Sequence, residues 1–378
     1  MTVSSTAIPL APAAAGTDAN ARAVAWWLIA VAGMVFVMVV IGGMTRLTES
    51  GLSITEWQPI TGALPPLSEA DWQALFAKYR ASPQFQQMFP ALTLAGFKGI
   101  FWLEYIHRLW GRLIGVAFLL PFLWFWIRGR IPKGYWPALL GLFALGGLQG
   151  GVGWVMVASG LVDRPSVSHY RLTLHLALAV VIYVAMLWTA FGLLQPRGPI
   201  AAHAGIRRWS RVVYVLIAVT IIYGAFVAGL RAGWIYNTFP WMGDGLVPAG
   251  YWLKSLGWRN LVENHDTVQF NHRLLATLTL LAIIVLWGAA RRKVAGLRRA
   301  ATWLVLSVLL QYGLGITTIL LFDVDVARPP LAGGLVIGTL HQAGAMVLVT
   351  AAVWSAHAAR AGRARPRASQ RISVTMLE

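Results

Sequence analysis

Four histidines, His107, His175, His272 and His341, stand at spacings that could do chemistry. The step from His107 to His272 and the step from His175 to His341 differ by a single position. Their neighbours recur with them. Glu104-Tyr-Ile-His107-Arg108-Leu109 matches Gln269-Phe-Asn-His272-Arg273-Leu274, and Leu148-Gln149-Gly-Gly151-Val-Gly153 matches Leu310-Gln311-Tyr-Gly313-Leu-Gly315; Arg164-Pro165 matches Arg328-Pro329. Neutral imidazoles are metal ligands, and two of them facing each other between helices can hold the iron of a porphyrin from both sides. One pair per half of the chain makes two such sites. The chain has no Cys, so disulfides, thiolate metal sites and thiol relays are excluded, and a metal must use His, carboxylate or Met.

The residue four positions after each His is small: Gly111, Ala179, Ala276 and Ala345. On a helix these share the face of the His and leave room for a flat macrocycle, although small residues also let membrane helices pack closely. Arg108 and Arg273 follow a His directly, and Arg46, Arg171 and Arg231 lie near span ends. Guanidinium groups there can pair with propionates or anchor the helix at the interface. The halves differ at Glu104 against Gln269, each three residues before its His. A carboxylate kept in one half alone points to chemistry at that site and a permanent cofactor at the other. Glu104 could move protons or stabilise positive charge on an oxidised carbon; the plainer reading pairs it with Arg108 or Arg112 at the helix edge.

The elements that position these residues must sit in lipid. Of 378 residues 58% are hydrophobic and 12% charged, with a mean hydropathy of +0.65, whereas about a quarter of a soluble protein is charged. Apolar runs long enough to cross a bilayer, about 20 residues each, begin near Ala23, Phe97, Trp136, Leu172, Val212, Phe270, Ala301 and Leu335. The reading is an all-α integral membrane protein whose eight transmembrane helices form two four-helix bundles related as a parallel repeat. Basic residues cluster after the second, fourth and sixth spans and in the tail (Arg360, Arg363, Arg365, Arg367, Arg371), which puts both termini in the cytoplasm. The net charge of +18 is therefore a topology signal, and no nucleic-acid partner is expected.

The organisation that follows is a disordered tail over residues 1–22, an N-terminal half over 23–194, a cytoplasmic linker over 195–211, a C-terminal half over 212–357 and a basic cytoplasmic tail over 358–378. The N-terminal tail resembles neither a signal peptide nor a transit sequence, which favours a bacterial protein. The long outer connections, Thr45 to Gly96 and Arg231 to Asp266, read as ordered caps. In the first, Ser68 and Asp71 precede or join Trp72, Leu75, Phe76 and Tyr79 in a helical pattern, predicting an amphipathic helix that lies on the membrane or packs on the rest of the protein. His169 and His265 in outer loops, and His203 and His357 on the cytoplasmic side, carry no assigned role.

Glu104-Tyr-Ile-His107-Arg108, Asn271-His272-Arg273, Thr339-Leu340-His341-Gln342 and the run Gly42-Gly-Met-Thr-Arg46-Leu-Thr-Glu-Ser-Gly51-Leu-Ser-Ile-Thr-Glu56-Trp57 together resemble haem A synthase, over about Ala23 to His357. The likeness is to the branch shared by mitochondria and Gram-negative bacteria. It implies oxidation of the C8 methyl group of haem O to a formyl group, giving haem A for terminal oxidases. It also implies a resident haem b on His272 and His341, substrate haem on His107 and His175, and a catalytic acid at Glu104. Some bacterial relatives carry a Cys pair in the first outer loop; this chain has none, so a thiol step is excluded there.

The resemblance further implies the bacterial inner membrane, haem sites toward the periplasmic side, and a haem O synthase and an electron donor as partners. A homo-oligomer is compatible with the sequence and no feature demands one. Two other readings use the same histidines. A two-haem transmembrane b-type cytochrome gives no reason for the Glu104/Gln269 difference beyond redox tuning, and a haem carrier predicts inverted halves, which a parallel repeat disfavours.

Overall fold

The computed structural model describes residues 15–58, 61–162, 165–194, 204–293, 295–321 and 332–359. Outside them lie residues 1–14 of the tail, 195–203 of the linker, the basic tail from Arg360 onward, and Arg164, Arg328 and Pro329 of the matched Arg-Pro pairs. The helices in chain order are α1 (Ala15–Leu47), α2 (Glu69–Arg80), α3 (Pro83–Met88), α4 (Leu94–Ile127), α5 (Trp136–Ala158), α6 (His169–Leu194), α7 (Ala204–Leu230), α8 (Asn260–Glu263), α9 (His265–Lys293), α10 (Ala295–Leu321) and α11 (Ala332–Ala358). Among the described residues eight helices are long and apolar enough to cross a membrane, and there is no β-strand. The chain is an all-helical membrane protein. Except for α5, which begins with its run at Trp136, the spanning helices begin before the apolar runs do, α1 at Ala15 and not Ala23, α7 at Ala204 and not Val212, because a helix satisfies its own backbone and continues beyond the hydrocarbon.

In lipid the usual inside-out pattern is relaxed. Val116, Leu120, Leu281 and Val285 are more than half exposed, a surface that water would not tolerate but acyl chains solvate. Helix α1 packs on α4, α6 and α11; α6 also meets α5, α7 and α11; α7 packs on α9, α9 on α10, and α10 on α11. Tyr183 of α6 and Thr350 of α11 share a hydrogen bond of 2.7 Å, polar glue where hydrophobic contact gives no preference over lipid.

Matched positions in the two halves make the same contacts. Trp27 Nε1–H donates to the Ala117 carbonyl at 2.9 Å, tying α1 to α4; Trp209 Nε1–H donates to the Ala282 carbonyl at 3.0 Å, tying α7 to α9. The step along the chain from Trp27 to Trp209 is longer than the step from Ala117 to Ala282. The first outer connection is therefore the longer of the two, and α2 and α3 occupy the extra length.

Helix α2 opens as its sequence predicts: Ser68 Oγ accepts from the Asp71 amide at 3.1 Å while the Asp71 carboxylate accepts from the Ser68 amide at 3.0 Å. Of the two readings of this helix, the structure shows the packed one. Trp72 and Tyr79 are buried against the outer end of α4, where the Trp72 and Phe101 rings meet edge to face at 4.9 Å and Tyr79 stacks on Phe97 at 5.2 Å. Burial pushes the Tyr79 phenol above its ordinary value, helped by the charges of Glu104 and Glu49. It stays a donor, to Gln84 Oε1 at 3.0 Å.

Candidate functional site

Each of the four histidines lies against a glycine of a neighbouring long helix. A Cβ built on Gly153 of α5 would stand 2.9 Å from His175 Cε1, on Gly224 of α7 it would stand 3.0 Å from His272 Cε1, and on Gly315 of α10 it would stand 3.0 Å from His341 Cε1. On Gly42 of α1 it would stand 3.3 Å from His107 Nε2. A Cβ at any of these positions would make a contact tighter than nine in ten real ones, so the bare backbone of glycine is what seats each ring.

The approach has a chemical consequence. His272 Nδ1 is 3.1 Å from the Thr220 carbonyl, four residues before Gly224, whereas the partner of His341 Nδ1 is the side-chain amide of Gln311, four residues before Gly315, at 3.2 Å. A carbonyl only accepts, so Nδ1 of His272 carries the proton and Nε2 keeps its lone pair, the state in which a second-shell partner holds a metal-ligating imidazole. The His272 and His341 rings lie 6.5 Å apart between centroids, at 84°. Metal–imidazole bonds of about 2 Å, plus about 1 Å from each nitrogen to its ring centre, place two axial rings roughly 6 Å apart. The pair therefore fits one metal ion between two imidazoles. Among the described residues no three His, Asp or Glu gather at one point; a metal held by this pair could draw its other ligands from a macrocycle's four nitrogens.

The first pair has related surroundings. Gln149 Nε2 is 3.2 Å from His175 Nδ1 and Gln311 Nε2 is 3.2 Å from His341 Nδ1. The small residue after His107 gives no open clearance: Met38 Cε would be 3.3 Å from a Cβ on Gly111, which is the helix-packing reading of that position.

Glu104 is 2% exposed. Its Oε2 accepts from Ser53 Oγ–H at 2.7 Å and the Ile54 amide at 2.8 Å, and its Oε1 accepts from Arg108 at 2.6 and 3.0 Å. Arg108 spends its other donors on the carbonyls of Ile54 and Glu56 at 2.7 and 2.9 Å. In the other half Arg273 donates to the carbonyls of Tyr236 and Thr238 at 2.7 and 2.9 Å. Tyr236 and Thr238 follow Ile54 and Glu56 by the same step that separates Trp209 from Trp27. Both arginines thus hold an outer loop against a His-bearing helix. Gln269 donates to the Tyr236 carbonyl at 3.2 Å, and its buried Oε1 has no partner among the described residues.

Arg46 and Arg231 meet at one carboxylate, Glu49: Arg46 pairs with it inside the N-terminal half, and Arg231 reaches it from the C-terminal half at 2.9 Å. Glu49 and Arg231, related by that same step, are the two non-glycine residues with left-handed backbone among those described, φ 55° and 56°. Arg46 also donates to the Ala228 carbonyl at 2.9 Å. Arg231 further lines a 610 Å³ outer cavity with Trp234, Leu253, His265 and Asp266. The four arginines offered from sequence as propionate partners, Arg46, Arg108, Arg231 and Arg273, therefore all reach backbone or carboxylate partners, two clamping loops and two joining the halves.

Sequence reasoning missed the seats Gly42, Gly153, Gly224 and Gly315. The signal was present in the matched Leu-Gln-x-Gly-x-Gly runs, whose last glycines are two of the four, and in the step from Gly42 to Gly224, which equals that from Trp27 to Trp209. It missed Gln342 as a contact: its amide donates to the Val39 carbonyl of α1 at 2.9 Å, so the residue after His341 touches the helix that seats His107.

Fold and site together describe an eight-helix membrane protein whose four membrane histidines each lie against a glycine of a neighbouring helix, with the His272 and His341 rings facing each other. The family described as cytochrome oxidase assembly protein, COX15-CtaA, matches residues 25–353, and the chain belongs to it. Among its relatives, a protein named heme A synthase from Rhodospirillum centenum is 51% identical over 360 residues, 94% of each chain. Those of Parvibaculum lavamentivorans and Paramagnetospirillum magneticum, bearing the same name, are 48% and 46% identical over 90% and 89% of this chain and 95% and 93% of their own.

Proposed function

We propose that this chain is an oxidoreductase that turns haem O into haem A, oxidising the C8 methyl group to a formyl group for the assembly of terminal oxidases. His107 and His175 hold the substrate haem, and His272 and His341 hold a resident haem b. The observation that supports this reading best is the second pair: the His272 and His341 rings are spaced to take one iron between them, and the Thr220 carbonyl leaves His272 Nε2 free to bind it; the names of the relatives supply the reaction. Resident haem b supplies one-electron redox chemistry when bound.

The chain's own residues do the rest. The seats orient the imidazoles, and Arg108 draws the first loop over the outer end of α4. Glu104, whose oxygens already accept from four donors, acts as a fixed negative charge that stabilises positive charge growing on the substrate carbon, and not as a group that swings to carry protons. The methyl carbon is oxidised in two two-electron steps, through an alcohol and a hydrated aldehyde that loses water; for each C–H bond replaced by a C–O bond the carbon gives up two electrons, which an external oxidant takes up. In this reading the halves are a parallel repeat in a bacterial inner membrane, with termini in the cytoplasm and haem sites toward the periplasm. Haem O synthase and an electron donor are the partners. A purely electron-carrying cytochrome gives the Glu104/Gln269 difference no purpose beyond redox tuning.

Expression beside a source of haem O, followed by extraction and chromatography of the haems, tests it. The wild type is expected to yield haem A, and Glu104→Gln to yield haem O with haem b still bound. Unchanged haem O in the wild type would favour the cytochrome.

A further inference from the structure

We infer that Gly153, Gly224 and Gly315, with Gly42 in a looser form, are positioning residues that set the place and angle of each haem-facing imidazole. The inference rests on the reading of those imidazoles as axial ligands. It follows from two features of one helical turn. The glycine lets the ring edge approach the neighbouring helix more closely than almost any Cβ would, and the residue four positions earlier holds Nδ1: the Thr220 carbonyl for His272, and the side-chain amides of Gln149 and Gln311 for His175 and His341. A side chain at the glycine would drive the ring off that partner. The ring cannot give way cheaply, because that hydrogen bond holds it there.

The distances grade the effect. At Gly153 a Cβ would fall 2.9 Å from the ring and force it to move; at Gly224 and Gly315, at 3.0 Å, and at Gly42, at 3.3 Å, the ring must give by a few tenths of an ångström, more at 3.0 than at 3.3 Å. The ring edges differ in the same way: His175, His272 and His341 turn Cε1 and Nδ1 to their glycines, and His107 turns Nε2 and Cδ2 to Gly42. His107 is thus held differently from the other three, in the half that must take up and release its haem.

The test uses the purified full-length protein and reads the resident haem directly, by haem content, optical and electron paramagnetic spectra of its low-spin state, and midpoint potential. Gly224→Ala and Gly315→Ala are expected to weaken haem b retention by about 10- to 100-fold, the usual effect of disturbing a ligand's supporting shell, and to shift spectrum and potential in the fraction that remains. Gly313→Ala lies on the same helix as Gly315 with nothing within 4 Å of its added carbon and should change none of these. Gly153→Ala should leave haem b untouched and reduce the affinity for added haem O, and Gly42→Ala should do so less. Wild-type spectra and potential in Gly224→Ala and Gly315→Ala would overturn the inference. So would a haem b change in Gly153→Ala equal to theirs, or failure of all three variants to accumulate, since either outcome makes the glycines general packing positions. His272→Ala retaining full haem b would instead sink the ligand reading itself.

Discussion

Around His107, helix α4 carries Glu104 and Arg108; around His272, helix α9 carries Gln269 and Arg273. Both arginines reach loop carbonyls at matched positions, so the clamp is common to the two halves. Only in the first does it close on a buried carboxylate, at 2.6 Å, and only there does that carboxylate also take donors from Ser53 and Ile54. The difference teaches that the clamp is scaffold and the charge is an addition to it. A scaffold alone needs no acid in lipid, where an unpaired carboxylate is costly.

Breaking the clamp in each half gives the largest separation. Arg108→Leu leaves Glu104 buried without its counter-charge and should cost about 3–5 kcal/mol of stability. Arg273→Leu leaves only neutral carbonyls without a donor, at about 1–3 kcal/mol. Thermal unfolding in detergent compares the two, and equal losses would contradict the distinction. At the junction between the halves, Glu49→Gln removes the charge that Arg46 and Arg231 share. With these side chains 16% to 28% exposed, a loss of about 1 kcal/mol is expected, read in the same assay, and it should shrink in high salt.

Ser68→Ala removes the cap of α2, in the cover that only the first half has, and should cost about 1 kcal/mol while leaving haem b content unchanged. The smallest effect is expected from Gln269→Glu, which offers the second site the acid it lacks: haem A formation should stay within about twofold of the wild type. A large gain or loss there would show that chemistry is not confined to the first half.

Eight spans were legible because each needs about 20 apolar residues and nothing else in a sequence looks like that. The capped helix at Ser68 was legible because a capping box is local, closed within a single turn. Helix ends were not, since apolar content marks where lipid stops and hydrogen bonding decides where the helix stops. For α2 the sequence showed an apolar face without saying what covered it. The rings of Phe97 and Phe101, further along the chain, answered that.

For the site, residue types and spacing were enough to single out four histidines and one unmatched acid, because ionisable groups in a membrane span are rare and costly. The duties of Arg46, Arg108, Arg231 and Arg273 were open in the sequence, where a guanidinium near a span end fits several partners equally. Tertiary structure decided them by bringing carbonyls and Glu49 within reach. It alone disclosed the glycine seats, because a glycine's meaning lies in what approaches it: Gly313 and Gly315 sit one position either side of Leu314 and look alike in sequence, yet only Gly315 has an imidazole against it.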